Sequence, residues 1–297
     1  MKKYINRNTT PEIKYFLGTF STECINTFKE LTETNYTAYS ETMNSIIKLS
    51  ADENLFNIVE LNHVDLNEKI QSYLVNFSNN HKADFYEFDR IFLDINRHIL
   101  NLLSSIRTFL DHTETTLKKK YGDNSEEYRL FKKEAGLAYD NSFAYRFLYK
   151  LRNYAQHCGL PSGFAEVNSS DCLPSEEKDV IRISFVREDL LERYDRWGKI
   201  KEELKAQSEK FDVLPLIEEQ FQLLNAINDK LKNLILPQYR KEGDLLLNLI
   251  VQTAGQIGTP CLIKSVSIKD MITFSFSWFP FDHISRITGA KINIIKL

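Results

Sequence analysis

Glycine and proline are scarce in this chain, at 10 and 7 of 297 residues. So few breakers argue against a loop-rich protein and favour long helices joined by short connections. Cysteine is equally sparse. Cys24, Cys158, Cys172 and Cys261 lie far apart and show no paired spacing. That pattern excludes a disulfide framework and reads as free thiols in a reducing compartment. No window approaches 18 uninterrupted apolar residues, so no membrane span is expected. The opening Met1-Lys2-Lys3-Tyr4-Ile5-Asn6 lacks the apolar run of a signal peptide. A cytoplasmic location is therefore expected. An excess of one charge is missing too: the formal net charge is −3, so any contact with nucleic acid needs a local basic patch. The six histidines show no close pair at ligand spacing. No Gly-x4-Gly-Lys-Ser/Thr loop occurs and no serine or cysteine sits in a nucleophile elbow. No metal and no cofactor are expected.

What is present is apolar and aromatic. Hydrophobic residues make up 42% of the chain, enough for a sizeable core. Residues 11–40 read as helix from the spacing of Ile13, Phe16, Leu17, Phe20 and Ile25. Residues 44–62 fit either a small hairpin or pieces of helix, and 64–78 read as helix. The clearest long helix runs from about 84 to 121, where Phe85, Phe88, Phe92, Ile95, Ile99, Leu102, Ile106, Leu110 and Leu117 recur every three or four residues. Lys118-Lys119-Lys120 suit its negative end and Gly122 stops it. Ser125 to Tyr128 start a short turn or helix. A further long helix begins near Asp140, a plausible cap, and ends at Cys158-Gly159-Leu160-Pro161. Residues 180–186 alternate as a strand, helices cover about 187–206, 213–236 and 238–253, and a period-two hairpin lies around Ile272, Phe274, Phe276 and Trp278. The fold class expected is mainly α with a small late β-sheet or hairpin.

One helix carries groups suited to chemistry: Arg152-Asn153-Tyr154-Ala155-Gln156-His157. Histidine moves protons near neutral pH. Arginine holds a phosphate and stabilises charge that builds on it. An amide can orient either one. With Arg146 at zero on a helical wheel, Asn153, His157 and Lys150 fall at about −20°, +20° and +40°. These four form one polar stripe, continued by Tyr149, Gln156 and Tyr145. Phe147, Leu148, Leu151, Tyr154, Ala155 and Cys158 take the other face. Arg152 lies about 140° from His157, so the two do not touch directly on one ideal helix. Two copies packed about a two-fold axis would bring them to one groove. Arg107 to His112 repeats the spacing but lacks the amide, since Thr108 follows. His98 has Asp94 one turn before it, a spacing common in surface contacts.

The segment Phe143 to His157, with its Arg152-Asn153 followed four residues later by His157, resembles the HEPN superfamily (higher eukaryotes and prokaryotes nucleotide-binding domains). The resemblance covers about 80–160 and implies an antiparallel HEPN-like helical bundle, with the helix pair 84–121 and 140–158 at its centre. It divides the chain into an N-terminal helical extension at 1–80, a HEPN-like core at 81–165, and a C-terminal helical region with β-strands at 166–297. Many members are metal-independent endoribonucleases, acting as dimers with a composite site in toxin–antitoxin, abortive-infection or anti-phage systems. The resemblance implies that Arg152 and His157 are catalytic and Asn153 supportive. To these the polar stripe adds Arg146, Lys150 and Tyr149 as RNA- or phosphate-binding candidates, with Arg107 from the first long helix. Partners implied are RNA, a second copy of the chain and an antitoxin or other regulatory protein. Tyr145, Tyr149 and Tyr154 are either stacking platforms for bases or half-buried packing residues. The rival expectation is a non-catalytic module that binds a nucleotide, an RNA or a protein through Asn96, Arg97, Asn101, Ser104, Ser105 and Arg107.

Overall fold

The computed structural model describes residues 10–80, 85–168, 180–269 and 271–292. Within them the protein is mainly helical with two small antiparallel sheets. The chain divides into two compact units that are discontinuous in sequence: 1–52 with 233–297, and 53–232. Among the described residues no helix is long and apolar enough to cross a membrane.

In the first unit, β1 (Glu12–Phe20) and β2 (Ile25–Leu31) form a hairpin that joins β6 (Thr259–Ile268) and β7 (Met271–Trp278) in the order β2-β1-β6-β7. This corrects the first part of the helix expected over 11–40; the chain is helical only from Glu33. Tyr15-Phe16-Leu17 put bulk on both sides of β1, so the alternation that marks a one-sided strand is absent. One face sets Leu17 opposite Leu262. Both sink into a core with Met43, Ile46, Leu49, Leu246, Leu249, Phe279 and Ile284. On the other face Phe20, Phe276 and Trp278 cluster with ring centroids 4.8 to 5.9 Å apart. Trp278 and Phe276 stand directly across from Cys261 and Ile263, both fully buried. Burial pushes the Cys261 thiol up to about 12. The late hairpin thus forms as its alternation predicts, yet Ile272, Phe274 and Trp278 remain 59, 40 and 44% exposed.

A single helix, α1 (Glu33–Asn80), replaces the ambiguous pieces at 44–62. Its buried positions Met43, Ile46, Leu49, Glu53, Phe56, Val59, His63, Leu66 and Ile70 recur every three or four residues. Exposed Ile47, Ile58, Leu61 and Val64 fill the gaps and mask that rhythm in the sequence. The division into units falls within α1, and again within α7 (Leu214–Ile235). α8 (Arg240–Gln252) and α9 (Phe281–Thr288) complete the first unit.

The second unit holds α2 (Phe85–Tyr121), α3 (Glu126–Asn141) and α4 (Phe143–Cys158), then a sheet of β3 (Gly163–Asn168), β4 (Val180–Val186) and β5 (Lys210–Asp212) in that order. The span 187–206 is not one helix. It breaks into α5 (Arg187–Arg193) and α6 (Lys201–Lys205) around Trp197, which is fully buried and donates its indole N–H to Leu190 O at 2.8 Å. Gly198 makes the intervening turn at φ 64°. Cys24, Cys158 and Cys261 are free thiols, and Cys172 lies outside the described residues.

The β1 register shifts between Leu17 and Gly18. There a Cβ on residue 18 would meet Asn26 O at 2.2 Å and Ile263 Cδ1 at 2.6 Å. Gly18→Ala is expected to lower stability by about 1–3 kcal/mol through overpacking. Gly136→Ala, where a Cβ on α3 meets nothing within 4 Å, should raise it by about 0.5–1 kcal/mol. Urea unfolding midpoints of the two variants should move in opposite directions.

Candidate functional site

The site is built on α4. The helix starts at Ser142 rather than near Asp140, because α3 continues to Asn141. Ser142 Oγ accepts from Tyr145 N at 3.0 Å and donates to Glu219 Oε1 at 2.5 Å, so it caps α4 and ties it to α7. Ala144, Tyr145, Phe147, Leu148, Leu151 and Tyr154 are buried. Phe147 stacks on Trp197 at 5.8 Å, and Tyr154 stacks on the same ring at 5.9 Å. Tyr145 and Tyr154 are therefore core residues rather than exposed stacking surfaces. Burial, and next the Asp189 carboxylate, push the Tyr154 phenol well above its ordinary value.

The far end of α4 is held by Arg193, a residue the sequence reading did not single out. Its guanidinium donates to Cys158 O, to Leu160 O at 3.3 Å and to Asp189 Oδ2 at 3.4 Å, and it lies 5.7 Å from the Tyr154 ring centroid. The Cys158 thiol donates in return to Arg193 O at 3.0 Å. Gly159 then leaves the helix at φ 86°. Helix ends leave carbonyls without partners, and a cation there is the common remedy. Here Arg193 supplies it and His157 does not. No local signal links position 193 to position 158, so only the fold reveals the pairing.

His157 is exposed and makes no hydrogen bond to a described residue. Arg152 and Asn153 are half-buried. Arg152 donates to Gln156 Oε1 at 2.5 Å, one turn on, and no hydrogen bond joins Arg152 to His157. Lys150 is half-buried on the same polar stripe. Arg146, at 14% side-chain exposure, is occupied: it donates to the Tyr139 and Asp140 carbonyls at the end of α3 and to Glu203 Oε2 at 2.5 Å. Arg107 on α2 donates to the Tyr149 hydroxyl, sits 4.7 Å from the centroid of that ring and pairs with Asp111 at 2.7 Å. The structure therefore groups Arg152, Asn153 and His157 along one helix end. Arg146 is joined to α3 and Glu203, and Arg107 to Tyr149. Asp94 does not bond His98. It pairs instead with Arg97, Lys69 and Tyr73. Among the described residues no group of three or more His, Cys, Asp or Glu is placed to hold a metal ion.

No family model, curated protein or solved structure matches this chain.

The two arginines of α4 differ in a measurable way. Arg146→Ala should cost about 1.5–3 kcal/mol, the range for hydrogen bonds to a charged group. Arg152→Ala, which loses a bond to Gln156 on its own helix and none to another element, should cost less. Thermal unfolding of the two variants checks this, and an equal loss in both would contradict the placement.

Proposed function

We propose that the chain is a metal-independent endoribonuclease of HEPN type, acting as a two-fold dimer in a toxin–antitoxin or anti-phage setting. The observation that carries the reading is His157: an exposed imidazole on the last turn of α4, relieved of helix capping by Arg193, with Arg152 and Asn153 one turn before it. The helices α2 and α4 fit the core of the antiparallel bundle that this family uses.

In this reading His157 takes the proton from a ribose 2′-hydroxyl or returns one to the leaving 5′-oxygen, and a histidine from the partner chain does the other task. Arg152 stabilises the phosphorane as its charge develops. Asn153 orients the imidazole or the phosphate. The products are a 2′,3′-cyclic phosphate and a 5′-hydroxyl, and DNA resists because it lacks the attacking hydroxyl. In this reading Arg152, which bonds Gln156 on its own helix, meets the imidazole of a second copy.

His157→Ala is expected to lower cleavage of total RNA by about 10²–10⁴-fold and Arg152→Ala by about 10²–10³-fold. Both should keep the wild-type circular dichroism, and cleavage should survive excess EDTA. In bacteria the wild type should slow growth and His157→Ala relieve it. Identical growth, together with no cleavage in vitro, would favour the binding module.

A further inference from the structure

A second constellation lies next to this helix end. A cleft of about 610 Å³ is lined by Lys69 and Tyr73 of α1, by Arg90, Asp94, Arg97 and Asn101 of α2, and by Leu160 just after α4. The α2 residues fall at intervals of three or four, on a stripe separate from the buried Ile91, Ile95, Ile99 and Leu102. Asp94 organises the cleft. Its Oδ1 accepts from Arg97 Nε at 3.0 Å and Nη2 at 2.7 Å, while Oδ2 accepts from the Tyr73 hydroxyl at 2.7 Å and Lys69 Nζ at 3.2 Å. Burial alone would push this carboxyl up. Hydrogen bonds from Tyr73, Arg97 and Lys69 outweigh it and hold Asp94 well below the usual carboxylate range.

Three cations thus face one carboxylate, leaving the cleft with a surplus of positive charge in a chain whose net charge is −3. Asp94 fixes two of the long cationic side chains, which lowers the ordering cost of binding an anion. Arg90 and Arg97 are exposed, and Leu93 beside them is 57% exposed. Charged donors flanked by apolar surface suit a nucleotide, whose phosphate and base need one of each. Only Cys158 and Gly159 separate Leu160 from His157, so their Cα atoms lie within about 11 Å.

We propose that this α1–α2 cleft is a phosphate-binding subsite for single-stranded RNA, which continues the strand's path away from His157. The proposal takes the identity of the polyanion from the nuclease reading; the site itself rests on the cleft's geometry and charge. Phosphate contacts hold and align the strand without reading its sequence. Arg90 and Arg97 are binding residues here, and Asp94 is a positioning residue.

The test measures binding apart from cleavage. Full-length His157→Ala protein is titrated with a short fluorescein-labelled oligouridylate, and anisotropy gives Kd at several salt concentrations. Adding Arg90→Gln and Arg97→Gln should weaken binding on the order of tenfold and flatten the salt dependence, because fewer counterions are released. Adding Lys119→Gln and Lys133→Gln instead, which removes the same charge from exposed positions outside the cleft, should leave Kd nearly unchanged. Arg90→Gln alone, at an exposed side chain, guards against a folding defect and should give part of the loss. Equal loss in the cleft pair and the control pair, no loss in the cleft pair, or no binding at all overturns the proposal. So does UMP binding as tightly as the oligomer, which would make the cleft a mononucleotide site. If wild type binds RNA through the cleft but never cleaves it, the nuclease reading fails and the subsite stands. If wild type cleaves and the cleft variant binds and cleaves equally well, the subsite fails and the nuclease reading stands.

Discussion

The end of α4 is the constraint on which the functional reading depends. A helix that stops at Cys158 leaves its last carbonyls without intrahelical partners. Something must supply donors, and the residue nearest to hand is His157. Arg193 reaches in from α5 and donates to Cys158 O and Leu160 O, while Asp189 accepts from the same nitrogen that reaches Leu160. The imidazole is thereby left facing solvent instead of its own helix terminus. At the other end Ser142 and Glu219 fix where the helix begins, and the stacked Phe147, Trp197 and Tyr154 rings hold its buried face. Both ends and one side of α4 are set by packing, so the polar stripe keeps a fixed direction.

The same division of labour explains which of the candidate residues were legible in sequence. The stripe of Arg146, Lys150, Asn153 and His157 follows from helical spacing, and none of the four is buried. What each guanidinium does is not written in spacing. Arg146 and Arg152 lie six residues apart on one helix. Yet Arg146 is shut against α3 carbonyls and Glu203, whereas Arg152 spans one turn to Gln156. Glu203 and Arg193 come from distant parts of the chain, and long-range partners leave no local periodicity. Asp94 was legible only as a carboxylate one turn before His98. Its bonds to Lys69 and Tyr73 depend on how α1 lies against α2.

Fold legibility divided along similar lines. α2 and β7 are each apolar on a clean period, 3.6 or 2, and their patterns carry through to the structure. β1 failed because it is apolar on both sides. Tyr15, Phe16 and Leu17 satisfy a helical template as readily as a strand, and the deciding interaction is pairing with β6, more than 230 residues away in the chain. α1 failed differently. Exposed Ile47, Ile58, Leu61 and Val64 sit between the buried positions, and an apolar residue left on the surface carries the same letter as one in the core.

Sparse glycine takes on meaning where the chain is most crowded. Gly18 lies where the β1 register shifts, with no room for a methyl group between Asn26 O and Ile263. Gly159 turns the chain out of α4 at a positive φ. The carbonyls flanking it, Cys158 O and Leu160 O, are the ones Arg193 binds, and Leu160 reaches the α1–α2 cleft. One turn therefore separates two polar surfaces of different character. The imidazole of His157 lies before it and suits proton transfer. Leu160, just after it, lines the cleft that holds the Asp94-ordered cations, which suit holding an anion. In the proposed reading a strand long enough to cross that turn would meet both, so the imidazole and the charge surplus need not share a single pocket.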